Sequence, residues 1–213
     1  FYAGPGLALD VGGPEALAAG GANPEELAAF LQFCGCSALI TNGTAPAGWR
    51  ADGHLYGFAL AAGAQLPEPA ADEALWASLA LDAAPPAGEL AAFLYPAGPQ
   101  RDDYYSALCT KRVRGLARVW ALRQGGVLAA TIGAYAIRDG RAYLACGCTA
   151  EPLRGRGAGG RLAVRFANAL AGQGLEVCLL CRGERTGFYT RLGFAPAGAL
   201  ARYTNVTGKE SYA

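Results

Sequence analysis

In the first part of the chain, the spacing of apolar positions predicts one helix with short strands before and after it. Asn23-Pro24-Glu25-Glu26 is typical of a helix start, because Asn caps, Pro suits the first turn and acids favour the positive end of the helix. Leu27, Phe30, Leu31 and Cys34 follow at helical spacing. Strands are expected at 6–11, 37–41 and 55–60. The pattern therefore predicts a small α/β unit over residues 1–62.

Two helices are expected in the next part of the chain, after a break. Residues 63–71 are rich in Ala, Pro and Gly, which predicts a linker. Residues 72–81 have a helical pattern with Asp72 as a candidate cap, and residues 83–88 interrupt it. A second helix is expected over about 102–117. We expect residues 63–213 to form the second domain.

From residue 117 the pattern becomes that of a β-sheet. Three apolar runs, at 117–123, 127–137 and 141–149, are separated by Gly-containing turns, which predicts an antiparallel meander. A helix is expected at 159–171, a buried strand at 176–181, a short helix at 186–192 and a last strand at 199–203. The predicted fold class is α+β, with a mixed sheet, a central strand-loop-helix, flanking helices and the small N-terminal unit before them.

The segment from Arg154 to Gly160 is the clearest candidate for a binding site. Its glycines, between a strand and a helix, allow a tight turn that presents successive N–H groups to an anion. The positive helix N-terminus and two arginines add to this, so a pyrophosphate is the expected ligand. A P-loop would need Gly-Lys-Ser/Thr at its end, which is absent. Gly155, Gly157 and Gly160 fit dinucleotide-binding spacing, but a meander precedes them where a parallel unit is required.

Composition limits the partners of this site. The chain has 53% hydrophobic residues, 16% charged residues and a formal net charge of +1. This balance favours a packed core and argues against nucleic acid as a partner. No apolar run approaches the roughly 20 residues that span a bilayer, and no basic-then-apolar leader opens the sequence, so we expect a cytoplasmic protein and no membrane partner.

The seven cysteines favour reduced thiols over a disulfide framework, since their number is odd. Cys178 and Cys181 lie in a buried-type strand, where Cys acts as a small apolar residue. Cys146 and Cys148 lie two apart in an expected strand, which places both on one face. Glycine knuckles and His partners are missing around these pairs, so no metal is expected.

Two motifs in this part of the chain resemble those of the GNAT acyltransferase superfamily. Arg154-x-x-Gly157-x-Gly159 is similar to its acyl-CoA loop, and the run from Phe188 to Phe194 (FYTRLGF) resembles its second hallmark. They occur in order, about 30 residues apart, with a strand between them. The resemblance covers roughly residues 70–213, and the coarse α/β pattern of residues 1–62 suggests a degenerate copy of the same unit, of unknown function. It implies an N-acyltransferase that moves an acetyl group from acetyl-CoA to a primary amine by direct attack.

The resemblance also implies roles for individual residues. The cofactor-binding loop would comprise Arg154, Gly155, Arg156, Gly157, Ala158, Gly159 and Gly160. Cys148 and Thr149 would pair through their backbone with the pantetheine arm. Tyr189 would be the general acid for the leaving thiolate, since a phenol with an ordinary pKa near 10 suits that role. Arg182 stands where the family often has Asn, and it would contact CoA phosphates.

The general base and the acceptor are less constrained by the sequence. The third meander strand holds no carboxylate, so Glu151 and Glu184 are the candidates, acting through water. Asp102 and Asp103 would attract a cationic amine, whereas Lys111 and Arg112 would favour an acidic one. The acceptor is expected to be a small molecule or a peptide amine. The alternatives are a non-catalytic acyl-CoA sensor and, less favoured, a dinucleotide-binding oxidoreductase.

Overall fold

The computed structural model of the chain describes residues 2–4, 7–12 and 14–206. The strands are β1 (Tyr2–Gly4), β2 (Leu7–Gly12), β3 (Glu15–Gly20), β4 (Ala38–Thr41), β5 (Trp49–Leu60), β6 (Ala80–Asp82), β7 (Arg118–Gln124), β8 (Val127–Arg138), β9 (Arg141–Thr149), β10 (Glu176–Arg182) and β11 (Ala195–Asn205). The helices are α1 (Pro24–Phe33), α2 (Glu73–Ala77), α3 (Ala87–Leu94), α4 (Gln100–Val113), α5 (Ala158–Ala171) and α6 (Thr186–Arg191). The predicted α+β class is confirmed.

The chain forms two compact units, each made of discontinuous segments. Of the described residues, the first unit takes in those up to Gly57, Cys181–Thr186 and those from Ala197 to Val206. The second takes in Phe58–Leu180 and Gly187–Pro196. Compact units need not fold independently. The domain boundary between residues 62 and 63 therefore stays a prediction.

The first unit is an antiparallel meander followed by a helical crossover. β1, β2 and β3 pair antiparallel in sequence order, and β3 pairs parallel with β4 after α1 crosses between them. Asn23 caps α1 as expected, since its side chain accepts hydrogen bonds from the N–H groups of Glu25 and Glu26. The core packs the apolar face of α1, with Leu27 and Leu31, against Leu9 and Leu39 of the strands.

The second unit repeats this arrangement on a larger scale. β6, β7, β8 and β9 pair antiparallel in sequence order, and β10 pairs parallel with β9 after α5. The two-residue turns of the meander have positive φ at Gly125, Gly126, Asp139 and Gly140, which suits hairpin turns. The meander, the helix after it and the strand expected at 176–181 are therefore confirmed, and the structure adds that this strand pairs parallel with β9.

Helices cover the strands of this second unit. α3 and α4 supply Leu90 and Leu108 to a core with Val119 and Ala121 of β7. α5 buries Leu162, Phe166 and Leu170, at spacings of four residues, and the Phe166 ring lies 5.2 Å from the Trp120 ring.

Three of the sequence predictions before residue 117 are wrong in detail. Residues 63–71 are not a free linker, because the Leu66 N–H and C=O both bond the Asn168 side chain of α5, at 2.8 and 2.9 Å. The helix expected over 72–81 ends at Ala77, and residues 80–82 form β6. The break expected at 83–88 is shorter than predicted, because residues 87 and 88 already belong to α3. Pro86 stands just before its first turn, a position that proline tolerates.

Candidate functional site

β9 and β10 pair only over their first residues. The parallel register runs from Arg141 opposite Glu176 to Leu144 opposite Leu179. β9 continues for five more residues, 145–149, of which Ala145, Cys148 and Thr149 pair with β8 on the other side. Among the described residues, this stretch of β9 does not pair with β10. It therefore leaves an edge on which an extended ligand can form strand-like hydrogen bonds.

A β-bulge distorts β9 where this edge begins. Thr131 lies opposite Cys148 and Gly133 opposite Ala145, so β9 carries one extra residue at this point. Cys146 has a φ of 54° there, which is uncommon for a residue with a side chain. The bulge breaks the strand alternation that placed Cys146 and Cys148 on one face.

A second bulge places Tyr135 beside Cys146. Tyr135 is the extra residue of β8 between Ala134 and Ala136, and its hydroxyl lies 2.6 Å from that of Tyr104 on α4. Burial is the main cause that raises the pKa of Tyr104 to about 12, and it raises the pKa values of Tyr135 and Cys146 as well. Both phenols and the Cys146 thiol are therefore neutral at physiological pH. Sequence reasoning missed this cluster, because bulges leave no clear sequence signal.

The loop from Arg154 to Gly160 leads into α5 without a side-chain cap. Gly157 is the cap residue, with a φ of 83°, and Gly155 has a φ of 75°. The N–H groups of Ala158, Gly159 and Gly160 have no hydrogen-bond partner among the described residues. The first turn of α5 also holds no acidic residue. This helix end is therefore suited to an anion.

Close packing explains three of the loop glycines. A Cβ at Gly157 would lie 2.6 Å from the Ala70 carbonyl oxygen. A Cβ at Gly159 would overlap the Thr149 hydroxyl, so the loop packs closely against the end of β9. A Cβ at Gly160 would lie 3.3 Å from Leu192. The loop is thus fixed between residues 70–71, β9 and the residue that follows α6.

The two loop arginines are both engaged. The Arg154 Nε donates to the Thr149 carbonyl oxygen at 3.0 Å. The Arg156 guanidinium pairs with the Asp72 carboxylate at 2.6 Å, and the Arg156 carbonyl accepts from the Asp72 N–H at 3.0 Å. Hydrogen bonds from the Leu75 N–H and from Arg156 lower the pKa of Asp72. Asp72 therefore holds the loop in position. The sequence did not reveal this role, because Asp72 lies far before the loop along the chain.

Tyr189 lies in an aromatic cluster on α6. Its half-buried ring is 5.1 Å from Phe188, 5.8 Å from Phe58 and 5.9 Å from Phe194. Phe188 lies near Gly160, since a Cβ there would be 3.7 Å from the Phe188 ring. The structure therefore brings α6 against the first turn of α5.

The remaining candidate residues are exposed. Glu151 starts a 3-10 turn just after β9. Arg182 ends β10, and Glu184 lies in the 3-10 turn at Gly183–Arg185. Arg182 and Glu184 belong to the first compact unit, whereas Glu151 and the loop belong to the second.

Comparison with protein families identifies this arrangement. Residues 87–194 match the acetyltransferase (GNAT) family. The chain belongs to the GNAT family. The family resemblance noted in the sequence is confirmed, and GNAT acetyltransferases use acetyl-CoA as the acyl donor. No curated protein matches the chain.

Solved structures of GNAT proteins share the fold over nearly the whole chain. A putative acetyltransferase from Novosphingobium aromaticivorans is 21% identical, with a TM-score of 0.58 over 90% of this chain and 83% of that one. A GCN5-related N-acetyltransferase from Kribbella flavida is 16% identical, with a TM-score of 0.59 over 94% of this chain and 90% of that one. The likeness in fold thus extends beyond the family match to residues of the first unit.

In residues 2–4, 7–12 and 14–206 no group of three or more His, Cys, Asp or Glu is arranged to hold a metal ion. None of the helices described here has the length and apolar character needed to cross a membrane.

Proposed function

We propose that this GNAT protein transfers the acetyl group of acetyl-CoA to a primary amine by direct attack, with Tyr189 as the general acid. The observation that carries the proposal is the combination of an uncapped α5 N-terminus with the free edge of β9. The first suits a diphosphate and the second suits an extended arm that carries amides. Both ligand features belong to acetyl-CoA, which supplies the activated thioester.

The residues around this edge fit that ligand. The N–H groups of Ala158, Gly159 and Gly160 would hold the diphosphate, with positive charge from Arg154. Arg156 would contribute through the main chain, because Asp72 holds its side chain. Cys148 and Thr149 would hold the pantetheine arm. The Thr149 carbonyl already accepts from Arg154, but a carbonyl oxygen has a second lone pair. Arg182 remains a candidate for a further phosphate contact.

Tyr189 would neutralise the leaving sulfur. The amine nitrogen forms the new C–N bond, the C–S bond breaks, and the Tyr189 hydroxyl donates its proton to the thiolate. The nitrogen gives up one proton as the amide forms, so the phenolate can be reprotonated with no net change. Water would carry that proton, with Glu151 or Glu184 as candidate acceptors. Proton transfer of this kind contributes on the order of 100-fold or more to rate.

Direct attack is supported by the state of the Cys146 and Cys178 thiols. The thiolate, not the thiol, is the nucleophile. Burial raises the pKa of Cys146 and of Cys178, so both stay protonated near neutral pH. An acetyl-cysteine intermediate on either residue is therefore disfavoured, and the amine is expected to attack the thioester itself.

Replacing Tyr189 by Phe tests the proposal. The variant keeps the ring and its aromatic contacts but lacks the proton, so kcat should fall by about 100-fold. The dissociation constant of acetyl-CoA, measured by calorimetry, should stay the same. Turnover is followed as thiol release with a panel of polyamines, amino acids, amino sugars and peptide N-termini. Tyr105→Phe, on the exposed surface of α4, is the matched control and should leave kcat unchanged.

Two outcomes would contradict the proposal in different ways. A Tyr189→Phe variant with the same kcat as the wild-type chain would show that Tyr189 is not the general acid. Tight acetyl-CoA binding by the wild-type chain without transfer to any amine in the panel would favour a sensor over an enzyme.

A further inference from the structure

The first unit repeats the strand–helix–strand element that carries the proposed acetyl-CoA site. In the second unit, β8 and β9 pair antiparallel, α5 crosses over, and β10 returns parallel to β9. In the first unit, β2 and β3 pair antiparallel, α1 crosses over, and β4 returns parallel to β3. Both copies are also preceded by one more antiparallel strand, β7 and β1 respectively.

The two parallel pairs share the same register. In each, four pairs of residues start at the first residue of both strands: Glu15 opposite Ala38, and Arg141 opposite Glu176. The return from helix to second strand is also equal, with four residues at 34–37 and four at 172–175. A common register and a common return connection indicate two versions of one element.

The copies differ in the parts that would hold a ligand. β3 has six residues where β9 has nine, and α1 has ten residues where α5 has fourteen. The loop before the helix is three residues, 21–23, in the first copy and eight residues, 150–157, in the second. The first copy therefore lacks the length of loop that surrounds the α5 N-terminus.

The free edge of the first copy is filled by its own chain. Beyond the paired part of β3, the Gly20 N–H donates to the Asn42 side-chain oxygen at 3.2 Å. The next residue, Gly43, comes so close that a Cβ there would overlap the Gly20 carbonyl oxygen. The Asn42 side-chain oxygen thus occupies the Gly20 N–H, which an amide carbonyl of a bound pantetheine arm would otherwise accept from.

The helix end of the first copy is also closed to anions. The Asn23 side chain accepts from the N–H groups of Glu25 and Glu26, at 2.9 and 3.2 Å. The Glu25 and Glu26 carboxylates lie in the first turn and add negative charge at the point where a diphosphate would bind. At α5 neither a side-chain cap nor an acid in the first turn is present.

We propose that the first unit is a second copy of the acetyl-CoA-binding element whose ligand slot is filled by Asn42 and Gly43, so that each chain binds one acetyl-CoA, in the second unit only. This inference rests on the proposed function for the identity of the ligand. The closure of the slot is independent of it, because it depends only on contacts within the first unit.

Calorimetric titration of the full chain with acetyl-CoA tests the number and place of the sites. The expected stoichiometry is one. Arg154→Glu should weaken binding by about tenfold or more, as expected for reversing a charge beside a bound anion. Asn23→Ala should leave both stoichiometry and affinity unchanged. A stoichiometry of two, or a single site that survives Arg154→Glu and is altered by Asn23→Ala, overturns the inference.

A chain that binds no acetyl-CoA would contradict the proposed function, and the closed slot is then judged by two other measurements. Gly43→Ala should lower the melting temperature, whereas Gly21→Ala should not, because a Cβ at Gly21 meets only the Thr44 hydroxyl at 3.4 Å. The Gly20 amide should exchange with deuterium more slowly in the wild-type chain than in Asn42→Ala. Equal melting temperatures for the two glycine variants, or an unprotected Gly20 amide, show that the slot is open and overturn the inference.

Discussion

Two glycines of the Arg154–Gly160 loop share a positive φ but have different surroundings. Gly155 and Gly157 both have positive φ, at 75° and 83°. A Cβ at Gly155 would meet nothing within 4 Å, whereas one at Gly157 would meet the Ala70 carbonyl and the Ala71 backbone, both at 2.6 Å. The sequence indicates that these positions turn, but it cannot show that one of them contacts a segment more than 80 residues earlier.

Replacing each glycine by Ala separates conformational strain from close packing. Gly155→Ala should lower the free energy of unfolding by about 1 kcal/mol, the cost of a side chain in the left-handed region. Gly157→Ala should cost more, roughly 2–3 kcal/mol, because residues 70–71 must also move. Denaturant unfolding of both variants measures the difference. Equal losses would show that Gly157 is not packed against residues 70–71.

The cluster of Tyr104, Tyr135 and Cys146 at the two bulges could not be predicted from the sequence either. Cys146 and Tyr135 were expected on regular strands, where each residue alternates in direction. The bulges instead place the Tyr135 hydroxyl within hydrogen-bonding distance of both Tyr104 and Cys146. Their hydrogen bonds depend on the tertiary structure of two strands and a helix, so sequence periodicity does not reveal them.

At the scale of elements, the segment from residue 63 to α2 is fastened along α5 by ion pairs. Arg161, only 8% exposed, pairs with Glu73 at 2.6 Å and with Glu68 at 3.3 Å. Arg161 and Arg165 both lie over the Trp76 ring, at 5.0 and 4.8 Å from its centre. This segment also carries Asp72, so it supports the Arg154–Gly160 loop from one side.

The Glu73–Arg161 pair should make stability depend on pH. The hydrogen bond from Arg161 lowers the pKa of Glu73 below its ordinary value of 4.5. A lowered pKa in the folded state adds stability that is present above pH 4.5 and is lost as pH falls through the lowered pKa. Glu73→Gln should therefore be less stable than wild type at pH 7, and this difference should disappear in acid.

Denaturant unfolding at a series of pH values measures that difference. Asp103→Asn, which removes an exposed carboxylate outside these ion pairs, is the matched control and should show a smaller change. A Glu73→Gln deficit that stays constant down to the acid end of the series would mean that charge does not stabilise this segment.

At the scale of the whole molecule, the part of the second unit from residue 117 onward is more predictable than the residues before it. Its meander, α5 and β10 have long apolar runs and Gly-containing turns, so both their existence and their order follow from the sequence. β3 (Glu15–Gly20) was missed because its run of Ala, Leu and Gly lacks the β-branched and aromatic residues typical of strands. The discontinuous membership of the first unit depends on contacts between distant segments, which no local pattern encodes.

Only part of the candidate site could be predicted from the sequence. The loop, the end of β9 and the motif around Tyr189 could be located from glycine spacing and the resemblance to GNAT proteins. The support of the loop by Asp72, the free edge of β9 and the filled slot of the first unit needed the fold, since each joins residues that are distant in sequence or depends on strand register.

A crystal structure of the chain with bound acetyl-CoA tests the central claim most directly. The account predicts diphosphate oxygens within hydrogen-bonding distance of the Ala158, Gly159 and Gly160 N–H groups. It also predicts a pantetheine arm along residues 145–149 and the thioester sulfur beside the Tyr189 hydroxyl. A diphosphate bound elsewhere, or a Tyr189 hydroxyl remote from the sulfur, would contradict it.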